Sequence, residues 1–306
     1  MLPTPEQEEP LTPAGCDDLP WFTLTWQNLP WTPWVPFSAT KTEFRTVPNE
    51  PGLYRIRPAG KDFLVYISET NRTLHQRLNE LRLNLKRDDL MPWNDPDTSA
   101  PMLWALRDAE GYEYECSAAP LDASSAGRRG MENFLLYRYR QETGDTPACN
   151  FGRFHPRYRR STIKSGNLRG AKLKETDRDN PAGGPSYPPL CATGLPGEQG
   201  WMGIPWSRTS PLDAEIAGTV PAAPGLYLLF DEESGEITSI GQSMDLQKRL
   251  AAEAGKDREG VKTEFSYHIV QGPVLPHNLR ELECDLLGNF FEQFKKAPAL
   301  QFRHGN

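Results

Sequence analysis

The segment VPNEPGLY at residues 47–54 recurs as VPAAPGLY at residues 220–227, and the offset of 173 residues persists through the following hairpin. A second match joins MENFLL at residues 131–136 to LECDLL at residues 282–287, with an offset of 151 residues. Because a unit of this length occurs twice rather than many times, the pattern predicts tandem domains and not a solenoid.

The repeat divides the chain into four parts. They are an N-terminal extension (1–30), a first domain (31–152), a linker that is basic and then rich in Gly and Pro (153–200), and a second domain (201–306). Trp31 and Trp201 are matched as the first residues of the two domains. The fall in offset gives the first domain about 22 extra residues, which we expect within 88–127, where turn-forming residues cluster.

A β-hairpin is predicted at the beginning of each repeat. Two short β-rich runs, Leu53–Arg57 and Phe63–Ser68, flank a turn centred on Gly60, which would put Tyr54 directly opposite Tyr66. The same spacing in the second domain would put Tyr227 opposite Ser239.

Two helices complete each predicted unit. The first has one apolar stripe, formed by Leu74, Leu78, Leu81 and Leu85, with Arg77 at its edge. The second, over 130–142, carries Glu132 on an apolar face. Each domain is therefore predicted to be a small α+β unit.

Composition limits the classes of protein that this chain can be. The net charge is −7, which disfavours non-specific coating of nucleic acid, and no apolar run is long enough to cross a membrane. The five cysteines are scattered and neither CxxC nor HExxH occurs, which argues against a disulfide scaffold or a zinc site. The first ten residues, MLPTPEQEEP, lack the features of a signal peptide, so we expect a cytoplasmic protein.

Five elements of the first domain resemble, in order, the signature of the GIY-YIG nuclease superfamily. They are Gly52-Leu53-Tyr54, Tyr66-Ile67-Ser68, Arg77, Glu132 and Asn150. The resemblance covers residues 47–85 and 128–152, and again 220–252 and 280–303. It implies a central antiparallel sheet of about three strands flanked by helices, and metal-dependent hydrolysis of nucleic-acid phosphodiester bonds.

The resemblance also implies a role for each residue. Glu132 would be the ligand for one Mg²⁺ or Mn²⁺ ion, and Arg77 would offer its guanidinium to the phosphate as negative charge builds. Tyr54 would accept or relay the proton of the attacking water, Tyr66 would position water or phosphate, and Asn150 would steady the site. A phenol is a poor base unless the arginine or the metal lowers its pKa.

Each of these residues also has a structural interpretation. Tyr54 and Tyr66 could be a cross-strand aromatic pair, Arg77 a solvated helix residue and Asn150 a turn residue. Glu132 is harder to explain in this way, because a carboxylate on an apolar helix face needs a metal or a cation as partner.

The second domain departs from the signature. It retains three corresponding residues, Tyr227, Arg249 and Glu283, but has Ser239 for the second tyrosine and Gln301 for the asparagine. The first domain has one departure, Ser68 for the final glycine, which the second retains as Gly241. We therefore expect the first domain to cut, and the second to bind DNA or to act as a weaker second site.

Positive charge is concentrated directly after the first domain. Residues 153–174 contain no Asp or Glu but eight basic residues, Arg153, Arg157, Arg159, Arg160, Lys164, Arg169, Lys172 and Lys174. Next to a phosphodiesterase site, such a segment predicts contacts with the nucleic-acid backbone, and a solvated linker is the alternative. The N-terminal tryptophans could stack on bases, although we favour packing against their own domain.

These observations together predict a divalent-metal-dependent endonuclease that acts on double-stranded DNA. A restriction or defence role is expected by analogy with the superfamily, in a pseudo-dimeric monomer or a homodimer. The alternatives are a non-catalytic DNA-binding protein with relic sites, an RNA-directed nuclease or toxin, and a structural protein that uses the repeat for assembly.

Overall fold

The computed structural model describes residues 19–95, 99–258, 260 and 262–302. Within these residues the chain forms two four-stranded antiparallel sheets and a small ribbon, together with helices, so the predicted α+β class is confirmed. Most of the predicted extension, residues 1–18, lies outside the described residues. No helix in the described part of the chain is long and apolar enough to span a bilayer.

The first lobe, residues 19–152, has helices around one sheet. Its strands are β1 (Val35–Pro36), β2 (Gly52–Pro58), β3 (Tyr66–Thr70) and β4 (Tyr114–Pro120). Its helices are α1 (Leu74–Asn84), α2 (Ala100–Glu110) and α3 (Ser125–Thr143). The strands lie in the order β1–β4–β2–β3.

The segment after the first lobe packs onto it instead of forming a loose linker. A ribbon forms between β5 (Tyr158–Arg159) and β6 (Ala171–Lys172). Phe154 and Tyr158 are buried in the first-lobe core, and the Tyr158 hydroxyl lies 2.6 Å from the Asp108 carboxylate on α2. These two aromatic residues are therefore not available for stacking on bases.

The second lobe, residues 201–302, repeats the sheet of the first. Its strands are β7 (Ser210–Pro211), β8 (Gly225–Asp231), β9 (Ile237–Ser243) and β10 (Thr263–Ile269), and its helices are α4 (Ala214–Thr219), α5 (Leu246–Ala254) and α6 (Pro276–Phe294). The order β7–β10–β8–β9 matches the first lobe position by position. The expectation of about three strands is corrected to four, because β1 and β7 are two-residue edge strands too short to leave a pattern in the sequence.

The register of the first hairpin differs from the predicted one. Tyr54 pairs with Ser68, not with Tyr66. The centre of the hairpin is thus one residue later than Gly60, which moves every cross-strand partner by two residues. Because side chains alternate between faces with a period of two, Tyr54 and Tyr66 still lie on the same face.

The prediction for the second hairpin is wrong by the same amount, since Tyr227 pairs with Gly241 and not with Ser239. A Cβ atom on Gly241 would overlap the Tyr227 ring, so this glycine allows the ring to lie across the strand. Ser68 has a side chain at the corresponding position of the first lobe, where the Tyr54 ring packs against Tyr66 instead.

Both predicted helices form in the first lobe. The leucine stripe of α1 is buried, and the Thr73 side chain caps the helix by accepting a hydrogen bond from the Gln76 N–H at 3.2 Å. α3 begins earlier than predicted, because Ser124 caps it in the same way, and it ends at Gly144 in a left-handed conformation. Glu132 is consequently the eighth residue of a nineteen-residue helix.

The extra residues of the first lobe surround α2. Residues 85–113 connect α1 to β4, whereas residues 255–262 are sufficient between α5 and β10. This longer connection supplies Asp95, which lies 3.9 Å from Arg77. The insertion therefore contributes to the surroundings of a predicted site residue.

A stacked tryptophan pair begins each lobe, with a correspondence that differs from the predicted one. Trp26 and Trp31 have ring centroids 6.2 Å apart, and the Trp31 indole donates to the Trp26 carbonyl at 3.0 Å. Trp201 and Trp206 repeat these contacts at 6.3 Å and 3.3 Å. Trp201 therefore corresponds to Trp26 and not to Trp31, and the repeat begins before residue 31. Both pairs are buried, as expected for packing.

The helices α3 and α6 pack against each other and join the lobes. Arg140 and Asp285 form a fully buried ion pair at 2.8 Å between them. Tyr137 and Gly288 hold the same position in the repeat and contact each other, and a Cβ atom on Gly288 would overlap the Tyr137 side chain. Contact between equivalent positions is expected at the axis of a pseudo-two-fold arrangement.

Candidate active site

A cleft of about 700 Å³ in the first lobe gathers most of the predicted site residues. Tyr66 on β3, Arg77 on α1, Glu132 on α3 and Asn150 in the loop after α3 all line it. Tyr54 is fully buried, with its ring centroid 5.9 Å from that of Tyr66. Three elements and a loop that are distant in sequence thus converge on one cleft.

The two phenols are in surroundings that favour their protonated forms. Burial raises the pKa of Tyr54 well above its usual value, Tyr66 raises it further, and Arg77 and Ser68 lower it. Burial also raises the pKa of Tyr66, which the Ser99 and Ser68 hydroxyls partly offset. The predicted lowering of the Tyr54 pKa by Arg77 is therefore outweighed by burial.

Glu132 is a half-buried carboxylate on the wall of the cleft. Burial raises its pKa to about 7 and the neighbouring Glu69 raises it further, whereas hydrogen bonding by Ser68 and by the Glu69 main chain lowers it. Glu69 itself lies 3.5 Å from Arg128 and 3.9 Å from Arg129. The cleft thus contains two carboxylates that repel each other, next to cationic side chains.

Arg77 is not a solvated helix residue. Its side chain is only 6% exposed, and its guanidinium lies 3.9 Å from the carboxylate of Asp95, which is 45% exposed. Both residues line the cleft. A guanidinium held at the wall of a cleft is suited to planar recognition of phosphate oxygens.

Asn150 holds the edge strand of the first sheet. Its Oδ1 accepts a hydrogen bond from the Ile67 N–H at 3.1 Å, and its Nδ2 donates to the Ile67 carbonyl at 2.8 Å. Gln301 makes the same two bonds to Ile240 in the second lobe, at 2.7 Å and 2.8 Å. The replacement of asparagine by glutamine therefore preserves this contact, and the amide at this position fixes the strand that carries Tyr66.

The second lobe keeps a carboxylate of similar character. Burial raises the pKa of Glu283 to about 7, and the nearby Arg280 and Arg249 lower it. Tyr227 is buried, and the position that corresponds to Tyr66 is occupied by Ser239, which lacks a phenol. This lobe therefore retains the acid but not both phenols.

Arg249 is held differently from Arg77. Its side chain is 46% exposed and lies 3.8 Å from Glu253, one turn further along α5. Glu253 also pairs with Lys256 at 2.8 Å and with Arg258 at 2.9 Å. The corresponding residue of the first lobe is Leu81, so this acidic competitor for the arginine is specific to the second lobe.

The predicted basic segment divides into three groups. Arg153 and Arg160 line the cleft. Arg157 pairs with Asp179 at 2.7 Å, and the Arg169 guanidinium lies 3.6 Å from the centroid of the Trp93 ring. The other four residues are exposed, namely Arg159, Lys164, Lys172 and Lys174.

Sequence reasoning missed several residues of the cleft. In the sequence, Ser68 stands out only as a departure from the glycine of the signature, and no pattern points to Glu69 or Asp95. Arg129 and Arg280 also line the cleft. The sequence does contain one signal for these two arginines. Each lies three residues before the repeated glutamate, in RGME at 129–132 and in RELE at 280–283.

The donor set determines which metal the cleft fits. No group of three or more His, Cys, Asp or Glu residues that could hold a metal occurs among the described residues. Glu132 has Glu69 as a repelling neighbour, and a divalent cation would relieve that repulsion. Mg²⁺ is commonly held by one or two carboxylates and several waters, so the cleft fits Mg²⁺ or Mn²⁺ at Glu132.

Comparisons with known proteins do not identify a family. No protein-family model matches this chain, and no curated protein matches its sequence at a significant level.

Proposed function

We propose that the chain is a divalent-metal-dependent DNA endonuclease of the GIY-YIG type, with two tandem lobes of which the first is catalytic. The observation that carries this proposal is the convergence of Tyr66, Arg77, Glu132 and Asn150 on one cleft. Among the residues that line this cleft, arginines outnumber carboxylates, which suits a polyanionic substrate.

The residues of the cleft would divide the work of phosphodiester hydrolysis. Glu132 would hold the Mg²⁺ or Mn²⁺ ion, which when bound supplies Lewis-acid stabilisation of the phosphate. Arg77 would bind the phosphate oxygens, and Tyr66 would orient water or phosphate. Because burial raises the Tyr54 pKa, a role for this phenol in accepting a proton requires additional positive charge in the site.

The second lobe supports a binding role better than a catalytic one. Arg249 is 46% exposed whereas Arg77 is only 6% exposed, and Ser239 replaces the second phenol. Burial raises the pKa of Glu283 to about 7, as it does that of Glu132, so we propose that the second lobe could still act as a weaker second site.

Double-stranded DNA is the proposed substrate. The exposed residues Arg159, Lys164, Lys172 and Lys174 would contact its backbone. We place the activity in the cytoplasm with a restriction or defence role, and the two lobes would face the two strands as a pseudo-dimer.

Cleavage of supercoiled plasmid with Mg²⁺ or Mn²⁺ tests the proposal, with Glu132→Ala and Glu283→Ala as matched variants. We expect Glu132→Ala to abolish nicking and Glu283→Ala to leave most of it. Modified phage DNA, single strands and RNA should be compared as substrates. Preferential cutting of RNA would favour the RNA-directed alternative, and DNA binding without cleavage of any substrate would favour the non-catalytic one.

A further inference from the structure

A residue of the second lobe reaches the cleft of the first. Arg280, in the second turn of α6, lines the same cleft as Tyr66 and Glu132. Its Nη1 donates to the Phe151 carbonyl at 2.9 Å, directly beside Asn150. Gly152 has no side chain that would displace the guanidinium, whereas a Cβ atom there would lie 2.5 Å from Nη1.

The repeat makes this contact one of a pair. Arg129 and Arg280 hold equivalent positions, as do Phe151 and Phe302. Arg129 reaches across in the opposite direction, with its guanidinium 5.7 Å from the centroid of the Phe302 ring. The two contacts are reciprocal, yet both arginines line the first-lobe cleft. The cleft is therefore built from both lobes.

The arginines of this cleft are held near one another. Arg160 donates to the Gly152 carbonyl at 2.8 Å, and burial together with the charge of Arg280 lowers the pKa of Arg160. Arg153 lines the same cleft. Bringing like charges together costs free energy unless an anion lies between them. Each guanidinium has five N–H donors, so a bond to one carbonyl uses only part of the capacity of Arg280.

Resting on the nuclease function above, we propose that Arg280 binds a backbone phosphate of the DNA that occupies the first-lobe cleft. The second lobe then completes the substrate site of the first, in addition to any DNA contacts of its own. This assigns a role to the second lobe that does not depend on Glu283.

The test compares Arg280→Gln with Arg280→Lys and with Arg208→Gln. Arg208 is an exposed second-lobe arginine that does not line the cleft, so it controls for the loss of one positive charge. Affinity for a fluorescent duplex oligonucleotide is measured by anisotropy over a range of salt concentrations in a Glu132→Gln background, without divalent metal. Cleavage by the same arginine variants is measured with Glu132 intact.

We expect Arg280→Gln to weaken binding about tenfold and to reduce the salt dependence by about one released ion, with Arg280→Lys recovering part of both. Arg208→Gln should change neither quantity appreciably. Equal behaviour of the two glutamine variants, with Glu132-dependent cleavage intact, would overturn the role of Arg280 and leave the nuclease proposal standing. Absence of both binding and cleavage in the unsubstituted protein would overturn both.

Discussion

Asn150 and Gln301 make the same pair of hydrogen bonds in the two lobes, each to the main chain of an isoleucine on the edge strand. The neighbouring main chain repeats as well, since Cys149 donates to Val65 and Leu300 to Thr238, both at 2.8 Å. An edge strand has unpaired main-chain groups, and residues 149–150 in the first lobe and 300–301 in the second form hydrogen bonds with some of them. The amide is thus a structural clamp next to the cleft.

Replacing either amide should lower stability, but only one replacement should affect cleavage. Asn150→Ala and Gln301→Ala each leave an N–H and a carbonyl without their partner, which should cost about 1–3 kcal/mol in the free energy of unfolding. Urea denaturation measures this loss. Asn150→Ala should also reduce the cleavage rate, because Tyr66 is on the released strand. Equal effects of both variants on cleavage would contradict this assignment.

The raised pKa of Glu132 makes stability depend on pH in the absence of divalent metal. The folded-state pKa of Glu132 is about 7, above the ordinary value of 4.5, so the folded protein holds this proton more tightly than the unfolded chain does. The stabilisation that results is complete below pH 4.5 and is lost as the pH rises through 7. Between about pH 5 and about pH 8, the free energy of unfolding of Glu132→Gln should therefore rise by about 2 kcal/mol relative to that of the wild type.

Denaturation of both proteins at the two pH values measures the difference. Mg²⁺ should then raise the melting temperature of the wild type at the higher pH and leave that of Glu132→Gln unchanged. If the difference in free energy of unfolding between the two proteins did not change with pH, the pKa of Glu132 would not be raised in the folded state.

The Ser68 hydroxyl should contribute to catalysis. Hydrogen bonding by Ser68 lowers the pKa of Glu132, so Ser68→Ala should raise the pKa of this carboxylate. We expect the cleavage rate to fall by about tenfold and the acidic limb of the pH–rate profile to shift to higher pH. Ser239→Ala, at the second-lobe position of Tyr66, is the control, and identical profiles for the two variants would argue against this role.

Removing one partner of the buried ion pair between the lobes should lower stability strongly. Asp285→Asn leaves the Arg140 guanidinium buried without its counter-charge, so we expect a loss of about 3–5 kcal/mol in the free energy of unfolding. Arg138→Gln removes a partly exposed pair on the same helix and should cost less than about 1 kcal/mol. Chemical denaturation compares them, and a small loss for Asp285→Asn would mean that water reaches Arg140.

The predicted hairpin shows how far a local pattern extends. Strand positions and the shared face of Tyr54 and Tyr66 follow from alternation along each strand. The cross-strand partner depends on the conformation of the residues between the strands, which alternation does not specify, so Ser68 was not recognised as the partner of Tyr54. An error of two residues changes the partner but not the face.

Two residues of the cleft that the sequence does not predict come from distant segments. Asp95 belongs to the insertion and Arg280 to the other lobe, and no local spacing relates either residue to Glu132. The correspondence of Trp201 with Trp26 is ambiguous in the sequence, because the short WxxxPW pattern at 26–31 and at 201–206 has two tryptophans and Trp201 can be matched to either Trp26 or Trp31. Packing contacts, which involve both tryptophans at once, remove that ambiguity.

The meeting of Tyr137 with Gly288 has a consequence for the history of the chain. If two identical first lobes met along this face, residue 137 would oppose itself, and the overlap that a Cβ atom on Gly288 would create shows that two tyrosines do not fit there. The two lobes therefore differ at the axis, where the large Tyr137 side chain of the first lobe occupies the space left by Gly288 of the second. They thus pair as the halves of a covalent heterodimer, in which a second copy of the first lobe could not take the place of the second.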